Sequence, residues 1–207
     1  MDAPRQLTRD SILDAGEEVL RHYGPTKATV LDVARALQVS HGSGYRHFTS
    51  KADLRDAVAQ RWLDRICAPL DQIADGPGDA STRLHDWLVA LSTTKQQMAT
   101  SDPALFATFR QLTLAARAVT AAHVDRLSGQ LARIVDSGIT TGEFEPCDPA
   151  STGRALLHAT ARFHHPALDI EWHDPDLRPQ LETVCTLLLR GLTTPPLRQP
   201  EPADPEA

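Results

Sequence analysis

The stretch Ser40 to Lys51 reads SHGSGYRHFTSK and gathers hydroxyl, imidazole, guanidinium and ammonium groups in one short segment. Ser40, Gly42 and Ser43 are small or hydroxylated residues at the start of a candidate helix. There, helix-terminal N–H donors and close backbone approach suit contact with a phosphate backbone. His41, Ser43 and Arg46 can reach base edges in a DNA major groove, where arginine to guanine is the commonest specific contact. The chemistry on offer is therefore recognition of a nucleic acid, not bond making. The neighbours read as structure: Phe48, Val39 and Ala34 as core, His47 as a packed hydrogen-bonding group, Arg35 as a solvated helix charge. Thr29 reads as a helix cap that can also present donors to a phosphate.

Other chemistries find less support. The nine histidines raise the prospect of an acid–base or metal site, yet there is no HExxH, no phosphate-binding glycine loop and no nucleophile elbow. His158, His164, His165 and His173 cluster in sequence, which keeps a metal-responsive protein as a rival reading. If His158 and His165 share one helix, they stand about 10 Å apart along its axis, too far for a common ion. The three cysteines, Cys67, Cys147 and Cys185, form no CxxC pair, so neither a disulfide framework nor a zinc cluster is indicated. No cofactor is implied. The amino terminus has no signal-like apolar core and no segment suits a membrane span, so the expected compartment is the cytoplasm.

The net charge of -6 argues against a nucleic-acid partner until its distribution is considered. Residues 1–56 carry eight basic against eight acidic side chains, so the whole deficit lies further along the chain. Within residues 27–51 only Asp32 opposes Lys27, Arg35, Arg46 and Lys51, which makes a small basic island.

The elements that must position this stretch are helical throughout, which predicts an all-α fold. A first helix is expected from Arg9 to Tyr23, with Ile12, Gly16, Val19, Leu20 and Tyr23 on one stripe and Gly24-Pro25 as its stop. A second, capped by Thr29 with Asp32, runs to about Gln38. Ser40 can cap a third over His41 to His47 after a tight turn, the spacing of a helix-turn-helix. Ser50 and Asp53 start a long fourth through Leu54, Val58, Trp62 and Ile66. Further helices are expected at 80–100, 103–116, 120–140, 149–165 and 175–192. Three of them open on an Asp-Pro pair, at Asp102, Asp148 and Asp174.

From Thr29 to Val58 the sequence TVLDVARALQVSHGSGYRHFTSKADLRDAV resembles the DNA-binding domain of TetR-family repressors. The likeness rests on Thr29, Ala34, Val39-Ser40, Gly42, Tyr45, His47-Phe48, Ser50-Lys51 and Leu54. It implies a helix-turn-helix domain over 1–56, an all-helical effector-binding and dimerising domain over 57–192, and a disordered tail over 193–207. It also implies that Tyr45 and Lys51 touch phosphates of double-stranded operator DNA. Gly44 departs from the pattern, which has a larger apolar residue there. With a glycine in a helix costing up to about 1 kcal/mol relative to alanine, Gly44→Ala is expected to raise helix stability. Unchanged melting together with unchanged operator affinity would count against that reading.

Leu177, Leu181, Val184, Cys185, Leu188 and Leu192 make one stripe of the last helix, widened by Leu187 and Leu189. The helix before it carries Gly153, Ala155, Ala159 and Ala161, small enough for close approach. By resemblance these two helices form a homodimer interface; the alternative is an intrachain core. Trp62, Trp87, Leu91, Phe106, Phe109, Leu127 and Phe163 can line an effector pocket or serve as plain core. Arg110, His123 and His158 can orient a ligand, whose identity no residue reveals. A helical binding protein without specific DNA recognition is the remaining alternative, and salt-dependent DNA affinity separates it from a regulator.

Overall fold

The computed structural model describes residues 8–39, 48 and 50–193. Among them there is no strand. The α-helices are α1 (Arg9–Lys27), α2 (Val30–Ala36), α3 (Lys51–Ala74), α4 (Ala80–Ser101), α5 (Pro103–Ala115), α6 (Arg117–Thr141), α7 (Pro149–Ala159) and α8 (Leu177–Thr193). Two 3-10 segments, Ala161–Phe163 and Pro166–His173, separate α7 from α8. The expected third helix and the tail beyond residue 193 lie outside the described residues.

Capping explains most of the boundaries. Thr8 and Ser11 close a reciprocal capping box at α1, and Thr29 and Asp32 close another at α2. Ser50 Oγ accepts from the Asp53 amide at α3. Asp102 and Asp148 each accept an amide from the residue three positions on, with proline inside the first turn of α5 and α7. The third Asp-Pro pair behaves differently. Asp174 Oδ1 accepts from the Asp176 amide at 2.9 Å, so a turn intervenes and α8 starts at Leu177, two residues later than expected.

Three other expectations need correcting. Gly24, at φ 72, does break α1, but the chain then makes one more turn through Pro25 to Lys27 and does not stop. That left-handed conformation suits glycine, which lacks the Cβ that would be crowded there. Tyr23, placed on the buried stripe, is half exposed. The helix expected over 149–165 ends at Ala159. Thr160 returns its hydroxyl to the Leu156 carbonyl at 2.9 Å, and Pro166 forces His165 into an extended conformation (φ -78, ψ 123) that a helix cannot accommodate.

The buried side chains form two clusters. The smaller joins Ile12, Leu13, Val19 and Leu20 of α1 to Val30, Val33, Phe48, Leu54 and Val58, and it also contains Leu112 from α5. The larger runs from Trp62 to Cys185 and is built mainly from α3, α4 and α6, with Leu177, Leu181 and Cys185 added by α8. Helix α3 feeds both. In the larger cluster Trp87 Nε1 donates to Gln130 Oε1 at 3.1 Å, and Gln130 Nε2 donates to the Cys67 carbonyl at 3.1 Å. This satisfies the buried polar atoms of three helices with one side chain.

Helix α7 lies against α6 at Gly153, where a Cβ would sit 2.6 Å from the Ser128 carbonyl oxygen and 2.7 Å from the Ala132 amide nitrogen. The small residue at this point therefore serves an intrachain contact. Because backbone on both sides must move apart, Gly153→Ala is expected to cost about 1–3 kcal/mol, read as a lower urea midpoint with unchanged slope.

Candidate functional site

Of the residues expected at DNA, Ser40, His41, Gly42, Ser43, Tyr45 and Arg46 lie outside the described residues, while Thr29 and Lys51 flank them. The Thr29 hydroxyl is fully used by its cap, accepting from the Asp32 amide at 3.2 Å and donating to Asp32 Oδ2 at 2.6 Å. Lys51 Nζ donates to the Thr26 carbonyl, and Arg55 donates to the Pro25 carbonyl. Together they fasten the start of α3 to the turn after Gly24. Partial burial, and then the neighbouring Arg55 charge, pull the Lys51 ammonium below its ordinary pKa. Phe48 is buried in the core, as its apolar ring suggests.

The second candidate site is a cavity of about 490 Å³ bounded by α3, α4, α5, α6, α7 and the 3-10 segments. Of the residues expected to line a pocket, Phe109, Arg110, His123, Leu127 and His158 lie on its wall. Trp62, Trp87, Leu91, Phe106 and Phe163 do not; they are buried in the larger core. Trp62 packs on Phe109 with ring centroids 3.7 Å apart, behind the wall rather than on it. Arg110 is already engaged, its Nη1 lying 3.0 and 3.1 Å from the two carboxylate oxygens of Asp169.

The sequence reading missed Lys95, Thr113, Thr120, His164 and His165, all of them on the wall. Lys95 is only 3% exposed. Its signal was available, because Leu84, Leu88, Leu91 and Lys95 follow one another at the helical spacing of a buried stripe. His164 and His165 come to the cavity because α7 stops before them. The premise that His158 and His165 share a helix therefore fails; both face one cavity instead. Among the described residues no three His, Cys, Asp or Glu side chains converge as a metal site.

Electrostatics single out Lys95. Burial lowers its pKa to about 8, and among the described residues it has no hydrogen-bond or carboxylate partner; its Nζ lies 5.5 Å from the Phe109 ring centroid. Burial, aided by the Lys95 charge, pushes His123 and His164 down to about 3, so both are neutral at pH 7. His123 Nδ1 sits 3.3 Å from Cys67 Sγ, and its Nε2 is buried without a partner. His164 Nε2 donates to the Leu157 carbonyl at 3.2 Å. The cavity thus presents apolar walls, one unpaired cation and neutral imidazoles.

A small helical head followed by a helical body with an internal cavity defines a class of one-component DNA-binding regulators. Residues 12–58 match the family described as bacterial regulatory proteins, tetR family, and residues 80–185, just over half the chain, match the tetracyclin repressor-like C-terminal domain. The chain belongs to the TetR family of transcriptional regulators. Similar solved structures include SmeT, the repressor of the Stenotrophomonas maltophilia multidrug efflux pump SmeDEF. It is 20% identical with a TM-score of 0.67, over 98% of each chain. The fatty acid degradation regulator FadR of Bacillus halodurans is 19% identical with a TM-score of 0.63, over 91% of this chain and 96% of that one. FadR of Bacillus subtilis, solved with stearoyl-CoA, is 17% identical with a TM-score of 0.60, over 89% and 100%. At these identities the likeness is one of fold. The HTH-type transcriptional regulator AlkX of Mycobacterium tuberculosis is 38% identical over 65 residues, so the chain matches 31% of that relative's length.

Proposed function

We propose that the protein is a homodimeric repressor that binds a palindromic operator and leaves it when a small-molecule effector fills the cavity. The observation that carries this reading is the double membership of α5. Its Phe109, Arg110 and Thr113 face the cavity, while Leu112 sits in the core of the N-terminal helices. A ligand that displaces α5 must therefore move α1 and α2 as well. It releases DNA to the extent that it prefers the displaced arrangement.

Residues 1–56 are the DNA-binding unit in this reading and residues 57–192 the effector and dimer unit. Ser40, Gly42, Tyr45 and Lys51 hold phosphates, with Thr29 orienting the helix that faces them; His41, Ser43 and Arg46 read bases. Dimerisation through α7 and α8 is supported by the exposed Ala155 and Ala159 and by Leu187, which is 62% exposed. A two-fold dimer presents two recognition helices about 34–36 Å apart, one turn of DNA. The protein acts in the cytoplasm by binding, without turnover; no described helix is long and apolar enough to cross a membrane.

Retention of pooled genomic fragments, including DNA flanking its own gene, over a salt series tests the proposal. Enrichment of one palindrome supports it, and weak, sequence-blind retention refutes it. On that palindrome Arg46→Ala is expected to cost about 1–3 kcal/mol and to relax one base position, whereas Lys51→Ala weakens all sequences alike and lowers the salt slope by about 1.

A further inference from the structure

The geometry points to a monocarboxylate with an apolar body as the ligand of the cavity, its carboxylate paired with Lys95 Nζ. This rests on the reading of the cavity as the effector site and deepens it. Two observations carry it. Lys95 is buried on the α4 wall without a carboxylate partner, and no aspartate or glutamate lines the cavity among the described residues. A buried cation is costly unless paired, so the complementary group is an anion brought from outside.

The remaining wall fixes the body of the ligand. Most of it is apolar, through Leu63, Phe109, Val124, Leu127 and Leu157, with Thr113, Thr120, His158, His164 and His165 as a polar minority. At ~30 Å³ for each water-sized group, the 490 Å³ cavity holds about 16 of them, enough for the body of a medium-sized acid. Arg110 is held by Asp169. The head group is thus recognised deep in the cavity, by Lys95, and not at the Arg110 side.

Calorimetric titration of the full-length protein without DNA, using decanoate, decanol, decylamine and decanoyl-CoA at pH 7, tests this. Decanoate is expected to bind about 10- to 100-fold tighter than decanol, as a charged hydrogen-bond pair provides, and decylamine weakest. Lys95→Met is expected to bring decanoate and decanol within about threefold of each other while decanol binding persists, which shows the cavity intact. Equal binding of acid and alcohol by the parent protein overturns the proposal, as does preference for the amine or the thioester, a preference retained in Lys95→Met, or no binding of any probe. Because DNA is absent, each of these failures leaves the operator experiment untouched. Decanoate binding that fails to change operator affinity would instead count against the cavity as an effector site.

Discussion

Between pH 7 and pH 5 the protein is expected to lose about 4 kcal/mol of folding stability, about 2 kcal/mol from each of two buried histidines. His123 and His164 have folded pKa values of about 3, against 6.5 for an ordinary imidazole, with burial as the main cause and the Lys95 charge second. Below pH 6.5 the unfolded chain takes up protons at both sites while the folded chain refuses them. Stability is therefore complete above pH 6.5 and drains away as the pH falls towards 3. His165 is shifted the same way. His85 opposes them, because its hydrogen bond to Glu182 raises its pKa and so strengthens the fold on acidification. Against a typical total of about 5–15 kcal/mol, the loss is large. Urea unfolding at pH 5, 6 and 7, at fixed protein concentration, measures it. In His164→Gln, which keeps an N–H for the Leu157 carbonyl, the fall should be smaller by about 2 kcal/mol. Parallel pH curves for parent and variant would refute this assignment.

Replacing Lys95 by methionine is expected to stabilise the protein by about 3 kcal/mol at pH 7. The folded pKa of about 8 lies below the ordinary 10.5 because burial penalises the ammonium. At pH 7 the lysine is charged in both states, so the folded state bears the whole desolvation cost. Between pH 8 and pH 10.5 the folded chain has released the proton and the unfolded chain still holds it. The parent's stability therefore rises through that window and its deficit against the variant closes. Thermal and urea unfolding of the pair at pH 7 and pH 10 check both the sign and the closure; a destabilised variant, or a constant difference, would contradict it. A costly cation kept in a core is what a site built for an external partner entails.

Most of the helix order was legible because capping and apolar spacing are local. Thr29 with Asp32, Ser50, Asp102 and Asp148 each mark a boundary that needs no tertiary information. Where the reading slipped, two local signals competed. Apolar spacing carried α7 through Phe163, yet His165-Pro166 forbids a helix there, and giving the proline its weight would have placed the break. At Asp174 the same Asp-Pro pair makes a turn instead of a cap, a choice governed by how the 3-10 segment packs. The cavity was less legible. Which of Trp62, Trp87, Phe106 and Phe109 faces empty space depends on helix rotation within the bundle, a property of contacts between distant residues. Lys95 was missed for a different reason: its polar surroundings in TTKQQ suggest a solvated charge, although its spacing from Leu91 puts it inside.

The seat of Leu112 bears on whether the head of this protein can be transplanted. A chimera joining residues 1–56 to another body would leave a leucine-sized vacancy beneath α1, a defect worth about 2–5 kcal/mol in a packed core. A workable graft would take the α1-facing residues of α5 along with the head, because the inherited unit is the head together with the helix that pushes on it.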